Sequence, residues 1–456
     1  MKENSYSESR RKFLQTAAVA TLAAPFILRC TSGKPAPGNT LYHACIGVGG
    51  MGLGDLKKFR EHPNVKIVAI CDVDADILKK ASVLVPDART YTDWRELLKK
   101  EGDNIESVNV TVPDHNHFVI AYTAIKKGKH VYCQKPMCHD VAEVRLLTKT
   151  AVKAGVVTQL GTQYAATVGD QTGIKLIKDG AIGKVKHVYL CSNRPSAIDY
   201  RVEGPRPSAG ETPPSTLNWD LWIGTAPMRE YAPVIYHTMK WRAWQDFGTG
   251  WSGDIGCHIF DAVWKGLGLK APRSVIAEVQ KSWKDSDERR ADNWPQSNHI
   301  TWMFPGNSYT EKDVLPVEWF DGEFYPPQEI RDLYAGNEYP AESAMLIGTE
   351  GALLIPHQGV TVLLPEDKFK NYPYPKFEPG NHYANYVVAC LGGPKTESNF
   401  AQTGPMTEAI LLGTVAIRVP DQLLEWDSDK MKFVNYPDAD KYISRKYRKG
   451  WSAAEF

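Results

Sequence analysis

Little in this chain points to a metal, a nucleic acid or a bilayer. Its eight cysteines (Cys30, Cys45, Cys71, Cys133, Cys138, Cys191, Cys257 and Cys390) include no C-x-x-C pair and no zinc-ligand spacing. No metal centre is expected, and no disulfide is expected to be essential. An excess of one charge is missing too: 54 basic residues face 53 acidic ones, for a net charge of +1. That removes the electrostatic case for nucleic acid or an anionic membrane surface. There is no internal repeat, and beyond the first forty residues no apolar run long enough to span a membrane. What remains is the composition of a globular protein, 43% hydrophobic and 23% charged over 456 residues, which is long enough for two domains.

The N-terminus has its own character. Ser9-Arg10-Arg11-Lys12-Phe13-Leu14-Gln15 precedes an uncharged stretch ending at Leu28. Paired arginines before a moderately apolar segment, shorter than the ~20 residues of a spanning helix, predict a twin-arginine export signal over residues 1–30 and a periplasmic location. No clear A-x-A cleavage site follows. Cys30 is where a lipid anchor would sit, although Arg29 occupies a position that suits a small residue. Residues 31–40 are rich in Gly and Pro and read as a linker.

Residues 41–52 read Leu-Tyr-His-Ala-Cys-Ile-Gly-Val-Gly-Gly-Met-Gly, with Asp72 twenty positions beyond Gly52. An apolar run, a G-x-G-x-x-G turn, a helix and a second apolar run ending in an acid form the pattern of a dinucleotide site. Gly47 permits the tight turn, Gly49 and Gly50 let backbone approach a pyrophosphate, and Gly52 lets the helix sit against the strand. Met51 opens that helix, whose free N–H groups favour phosphate. Asp72 would bind ribose hydroxyls and repel a 2′-phosphate, so NAD is favoured over NADP. Strands near 41–47, 65–71, 106–112, 129–134 and 156–160 alternate with helices near 50–61, 74–84, 93–100, 116–127 and 140–154. The apolar strands predict an α/β fold with a doubly wound parallel sheet over 41–162.

Beyond residue 163 the pattern changes. Residues 195–250 carry many Pro, Gly and Trp and read as long loops. Strand-like runs at 184–193, 273–282, 298–304, 314–319, 345–348, 351–355 and 360–364 predict an α+β domain over 163–400, built on an open, mostly antiparallel sheet. Segments 382–391 and 405–418 have helical period, and residues 401–456 are expected to pack back on the domains.

Two places invite chemistry. Lys135 follows the apolar run His130–Cys133 and precedes Pro136, a residue often cis in such a turn. Ligands of open α/β sheets lie beyond the carboxyl ends of the strands, which aims Lys135 at the cofactor crevice. In Gly250–Asp261, a helix would put Asp254, His258 and Asp261 on one face. A carboxylate one turn from an imidazole can orient it and raise its pKa, as a general base needs. An N-capping Asp254 with a packed histidine fits the same letters. Trp241, Arg242, Trp244, Tyr236 and His237 are candidates for substrate contact, although aromatic side chains suit sugar rings and ordinary cores alike.

In order along the chain, Gly47–Gly52, Asp72, Thr111-Val112-Pro113-Asp114-His115-Asn116-His117, Gly128–Pro136, Gly161-Thr162-Gln163 and Asp254–Asp261 resemble the Gfo/Idh/MocA family (glucose–fructose oxidoreductase and inositol dehydrogenase). The resemblance covers essentially all of the chain beyond the signal. It implies a Rossmann domain and a sheet domain that lines the active site and mediates oligomers, so a homo-oligomer is expected. It implies that Lys135 is the catalytic lysine of the E-K-P motif, and that Asp254 and His258 are the D-x-x-x-H pair. Thr111, Pro113 and His117 then line the nicotinamide end, and Gln163 touches it. One departure is plain: Gln134 stands where a glutamate is usual, keeping the shape but losing a charge beside Lys135. The expected activity is NAD-dependent hydride transfer from a sugar, glycoside or polyol hydroxyl. His258 would act as base, Lys135 would stabilise the oxygen, and Asp254 would hold the imidazole. A redox-neutral glycoside-cleaving enzyme and a non-catalytic NAD-binding module are the competing readings.

Overall fold

The computed structural model describes residues 39–195, 204–207, 209–334 and 336–452. The expected export signal, Cys30 and most of the linker lie outside the described residues. Six strands form the first sheet: β1 (Leu41–Ile46), β2 (Val65–Cys71), β3 (Arg89–Tyr91), β4 (Ser107–Val110), β5 (His130–Cys133) and β6 (Thr158–Leu160). All pair in parallel, in the order β3-β2-β1-β4-β5-β6. Helices α1 (Met51–Glu61), α2 (Ala75–Ser82), α3 (Trp94–Glu101), α4 (His117–Lys126) and α5 (Val141–Ala154) link or flank them. Strands buried on both faces need continuous apolar runs, and Ala44, Cys45, Ala69, Ile70, Val108, Val110, Val131 and Cys133 are all fully buried. The expected elements are present within a few residues. β3 is the addition: Arg89 and Thr90 are exposed, so it has no apolar signature.

Strand order reverses between β1 and β4, and this switch point opens a crevice beyond their carboxyl ends. Gly47 leaves β1 there and Thr111 leaves β4.

The second sheet has nine strands. β7 (Val185–Ser192), β8 (Ser274–Val279), β9 (Asn298–Pro305), β10 (Val314–Asp321), β11 (Glu342–Gly348), β12 (Ala352–Pro356) and β13 (Val362–Leu364) are joined by β14 (Leu424–Asp427) and β15 (Lys432–Phe433). The order is β13-β12-β11-β7-β10-β9-β8-β14-β15, antiparallel except where β10 meets β7. The chain after residue 401 therefore extends the sheet as well as packing on it. The stretch 273–282 is shorter as a strand than predicted, because Lys281–Lys284 turn into a short helix.

α6 (Val168–Lys178) and α7 (Gly250–Leu267) pack on each other and on the second sheet, and α9 (Phe400–Arg418) packs on α5 and α7 and reaches strands of both sheets; α8 (His382–Cys390) packs on the first domain beside α1. α9 begins before its expected start because Asn399 caps it, its side chain accepting from Gln402 N at 3.2 Å. α7 is buried along nearly its whole length, so it is apolar or small all round and carries its charged residues only where partners exist. The loop-rich region before it folds around its own aromatic core of Trp222, Tyr236, Trp241, Trp244 and Phe247.

Candidate functional site

The glycine turn makes a cradle. Gly47 has φ +81°, and a Cβ there would stand 2.0 Å from the Thr111 carbonyl oxygen. A Cβ on Gly52 would meet the Gly47 carbonyl at 2.2 Å, so α1 can approach β1 only with glycine. Gly50 precedes α1 and no side chain caps that helix, which leaves its N-terminus to a ligand. Asp72 sits at the end of β2, where Oδ2 accepts from Val48 N at 2.9 Å and Oδ1 from Asp74 N at 3.0 Å. Burial pushes its carboxyl up, and these two backbone donors oppose that. Together they bound a cleft of about 280 Å³. Gly47, Gly49, Gly50, Met51, Asp72, Thr111, Pro113, Gln134 and Lys135 all line it. A side-chain-free turn, an uncapped helix start and an acid at the second strand fit the phosphates and ribose of NAD.

At the far end Lys135 reaches α7. Its Nζ is 3.1 Å from Asp254 Oδ1 and donates to the Asp254 carbonyl at 3.1 Å. The peptide before Pro136 is cis. Arg242 Nε stands 3.4 Å from the same Asp254 oxygen, with its guanidinium over the Trp241 ring at 4.2 Å. Burial would raise Asp254, but the two cations outweigh it and hold it below the usual carboxylate range. Asp114 shows the opposite balance. Burial and then the Asp254 charge push it up to about 8, although Thr249 Oγ1 donates to it at 3.1 Å. The two carboxyls are thus shifted in opposite senses, Asp254 down toward the ionised form and Asp114 up toward the protonated one.

His258 lies one turn beyond Asp254. Burial, then the nearby Lys135 charge, drive its pKa well below the ordinary histidine value, so it is neutral. Its Nδ1 is buried and makes no hydrogen bond, and its ring faces His357 at 5.0 Å and Tyr164 at 6.2 Å. The expected Asp254–His258 couple is thus not formed. α7 starts at Gly250, which puts Asp254 inside the helix, neither an N-cap nor a partner of the imidazole, and its carboxylate is taken by Lys135 and Arg242. The histidine pKa falls rather than rises. Asp261 pairs with Lys265 at 2.6 Å and stands apart from the site.

Other candidates divide. Trp241, Arg242 and His237 line the cleft. Tyr236 and Trp244 are 1% and 0% exposed within the aromatic core, so they are packing residues. His117 is buried behind the cleft, braced between the Val112 and Pro136 carbonyls at 2.7 Å each. Gln163 reaches Tyr132 OH at 3.4 Å and does not line the cleft. Asp114, His357 and Tyr164 are the residues that sequence reasoning missed. Asp114 lay within a motif that drew attention for other positions, and His357 is distant in sequence from His258 and Tyr164. Among the described residues no group of three or more His, Cys, Asp or Glu could hold a metal, no helix is long and apolar enough to cross a membrane, and the seven cysteines are free and buried.

Comparison with known proteins points the same way as the geometry. Residues 42–162 match the Gfo/Idh/MocA oxidoreductase family model for its NAD-binding Rossmann fold, and residues 167–300 match its C-terminal α/β domain. The levoglucosan dehydrogenase of Pseudarthrobacter phenanthrenivorans is 25% identical over 59% of this chain and 72% of its own length. The myo-inositol 2-dehydrogenase of Thermotoga maritima is 28% identical over 35% of this chain and 48% of its own. A glycosyl hydrolase family 109 protein of Stenotrophomonas maltophilia is 26% identical over 40% and 42%. Several of these curated relatives are matched over less than half of their length; for a D-apiose dehydrogenase of Paraburkholderia graminis the share is 37%. In fold, the chain superposes on the WlbA dehydrogenase of Bordetella pertussis in complex with NADH and UDP-GlcNAcA, with TM-score 0.58, 15% identity and coverage of 85% and 99%. An inositol dehydrogenase homolog of Azotobacter vinelandii complexed with NAD+ gives TM-score 0.58, 16% identity and coverage of 87% and 100%.

Proposed function

The chain belongs to the Gfo/Idh/MocA oxidoreductase family, and from that premise we propose that it transfers hydride from a secondary hydroxyl of a sugar, glycoside or polyol to NAD, as an exported periplasmic homo-oligomer. The observation that carries this reading is Lys135, which lines the cofactor cleft and is fixed by the ionised Asp254, itself one helical turn from the neutral imidazole of His258.

NAD, when bound, supplies the hydride acceptor. His258, kept neutral by burial, takes the hydroxyl proton. Lys135 donates to the substrate oxygen as negative charge develops there. Asp254 positions the ammonium rather than the imidazole, and Arg242 shares the load. Asp114, pushed up by burial and by the Asp254 charge, favours its protonated form and so adds a donor at the same end of the cleft.

The test begins with the exported protein. It is denatured and the released nucleotide assayed, and the native protein is then offered a panel of glycosides and polyols while NADH absorbance is followed. Bound NAD with NADH formed on one substrate supports the reading. No bound nucleotide, and none taken up, would overturn it.

One observation favours a second reading, redox-neutral glycoside cleavage by transient oxidation, elimination and re-reduction. Residues 216–242 strap the cofactor cleft from outside the Rossmann domain. Thr216 O accepts from Ala75 N at 2.8 Å, Asn218 N donates to Val73 O at 2.9 Å, and His237 Nε2 lies 3.2 Å from Asp74 Oδ2. Leu221, Trp222 and Met239 close the same wall. A strapped cofactor suits a cycle that regenerates its own NAD. Free aglycone without net NADH in the same assay would identify it. On either reading His237→Ala is expected to speed release of bound NAD by about tenfold. A rate unchanged from wild type in a nucleotide-trapping experiment would mean that the strap does not retain it.

A further inference from the structure

Asp55 has no part in the chemistry above, yet it is the best-satisfied buried acid beside it. It lies on α1 and is 0% exposed. Its Oδ1 accepts from Tyr383 OH at 2.7 Å and its Oδ2 from Thr111 Oγ1 at 2.7 Å. Gln134 Nε2 donates between them, 3.2 Å from Oδ1 and 3.0 Å from Oδ2. The donors come from three places: the exit of β4, the exit of β5 and the start of α8. Two of them, Thr111 and Gln134, line the cofactor cleft. Both are further fixed, since Thr111 Oγ1 accepts from Asn109 Nδ2 at 2.9 Å and Gln134 Oε1 accepts from Lys135 N at 3.3 Å.

We propose that Asp55 is a positioning residue for the reaction at Lys135: its buried carboxylate gathers Thr111, Gln134 and Tyr383 and so ties the phosphate-binding helix to the strand end that carries the lysine. The proposal rests on the hydride-transfer reading of the cleft. Its physical basis is complementarity. Every neighbour of the carboxylate donates, so the ionised form is matched on both oxygens, which a buried charge requires. The pair also settles what residue 134 must be. A carboxylate at 134 would bring two acids within about 3 Å in a dry site, where they cannot both ionise, and one would have to hold a proton. An amide there donates to Asp55 through nitrogen and accepts from Lys135 N through oxygen. The buried carboxyl that contacts residue 134 therefore stands on α1 in this chain; burial raises its pKa, and the donors from Tyr383, Thr111 and Gln134 oppose that. Gly161 leaves the amide its place, since a Cβ there would come within 2.5 Å of Gln134 Oε1.

The test uses the full chain with its bound nucleotide and compares Gln134→Glu, Asp55→Asn and the double variant, with Lys135→Ala in parallel. Gln134→Glu is expected to lower kcat about tenfold at neutral pH, with activity recovering toward acid as the new pair takes up its shared proton, and with KM for the substrate little changed. The double variant reverses donor and acceptor, and is expected to regain kcat to within about threefold of wild type and to lose the new pH dependence. A purely structural role would move Tm and bound nucleotide without that pH limb. If Gln134→Glu keeps the wild-type kcat and pH profile, or the double variant is no better than the product of the single effects, the proposal is overturned. Should Asp55→Asn fail to fold, Gln134→Glu still decides. Wild-type turnover in Lys135→Ala would instead overturn the site reading beneath the proposal.

Discussion

Lys135→Ala is expected to lower kcat by about 10²–10³ while leaving NAD bound. The size follows from what the ammonium does. It is a preorganised donor at the point where an oxygen becomes negative, in a site shielded from water, and removal of one such donor costs about 3–4 kcal/mol of transition-state stabilisation. The nucleotide is held elsewhere, by the glycine turn, the start of α1 and Asp72, so its occupancy should survive. The effect should fall on kcat far more than on KM, because the interaction strengthens only as the oxygen gains charge. The fold should also survive, since Asp254 keeps Arg242 at 3.4 Å and is not stranded as an unpaired buried charge. Lys135→Arg is a sharper control. It keeps the charge, but a planar fork cannot reproduce a point contact made at 3.1 Å to both the carboxylate and the carbonyl of one residue, so little activity should return. A Lys135→Ala enzyme that turns over the same substrate within a few-fold of wild type would remove the lysine from the mechanism.

The sequence carried most of the first domain for a physical reason. Parallel strands buried on both faces must be apolar throughout, so runs such as Val65–Cys71 announce themselves, and the glycine turn is dictated by backbone clashes that no other residue avoids. β3 escaped because its exposed Arg89 and Thr90 obey no such rule. The chemistry was legible as residue types and less so as partnerships. Asp254 and His258 share a helix face, as their spacing demands, but a shared face does not choose a partner. Lys135 arrives from the other domain and Arg242 from the short 3-10 turn Lys240–Ala243, and both outcompete a neutral imidazole for the carboxylate. Tyr236 and Trp244 failed as substrate contacts for the reason that made them attractive: a large aromatic ring serves a sugar or a core equally well, and only the burial of both side chains separates the two. Asp55 left no trace in the sequence, since its meaning depends on Thr111, Gln134 and Tyr383 converging from distant positions.

A second large effect is expected in acid. Burial holds His43, His117, His130 and His357 at about 4, and His115 and His382 at about 3. Each is lowered relative to an unfolded value near 6.5. Below that pH the unfolded chain binds protons that the folded chain refuses, so stability is complete above about 6.5 and is lost as pH falls toward 4 and then 3. At pH 5 one such group opposes folding by about 2 kcal/mol. Asp114 and Asp140 act in the reverse sense. Burial raises both to about 8, so the folded state gains protons below that pH and is favoured by acidification. Asp170, Asp55 and Asp72 are raised in the same sense as these two, while His139 and His258 are lowered with the six imidazoles; the carboxyls offset only part of what the imidazoles cost, and the remainder is comparable with the lower end of the about 5–15 kcal/mol that hold a protein folded. Tm is therefore expected to fall by about 5 °C between pH 7.5 and 5, since the unfolding entropy of a chain this long is about 1 kcal/mol/K, and a flat Tm across that range in scanning calorimetry would show that these imidazoles are not kept neutral. The same burial keeps His258 unprotonated, which gives the two experiments a common readout. If the base is already neutral well below 6.5, kcat/KM should have no break near that pH, and its acid limb should follow the unfolding curve instead. A bell with an imidazole-like pKa in a protein that is still folded would mean that His258 is exposed when it works, and that the base is charged by solvent rather than shielded from it.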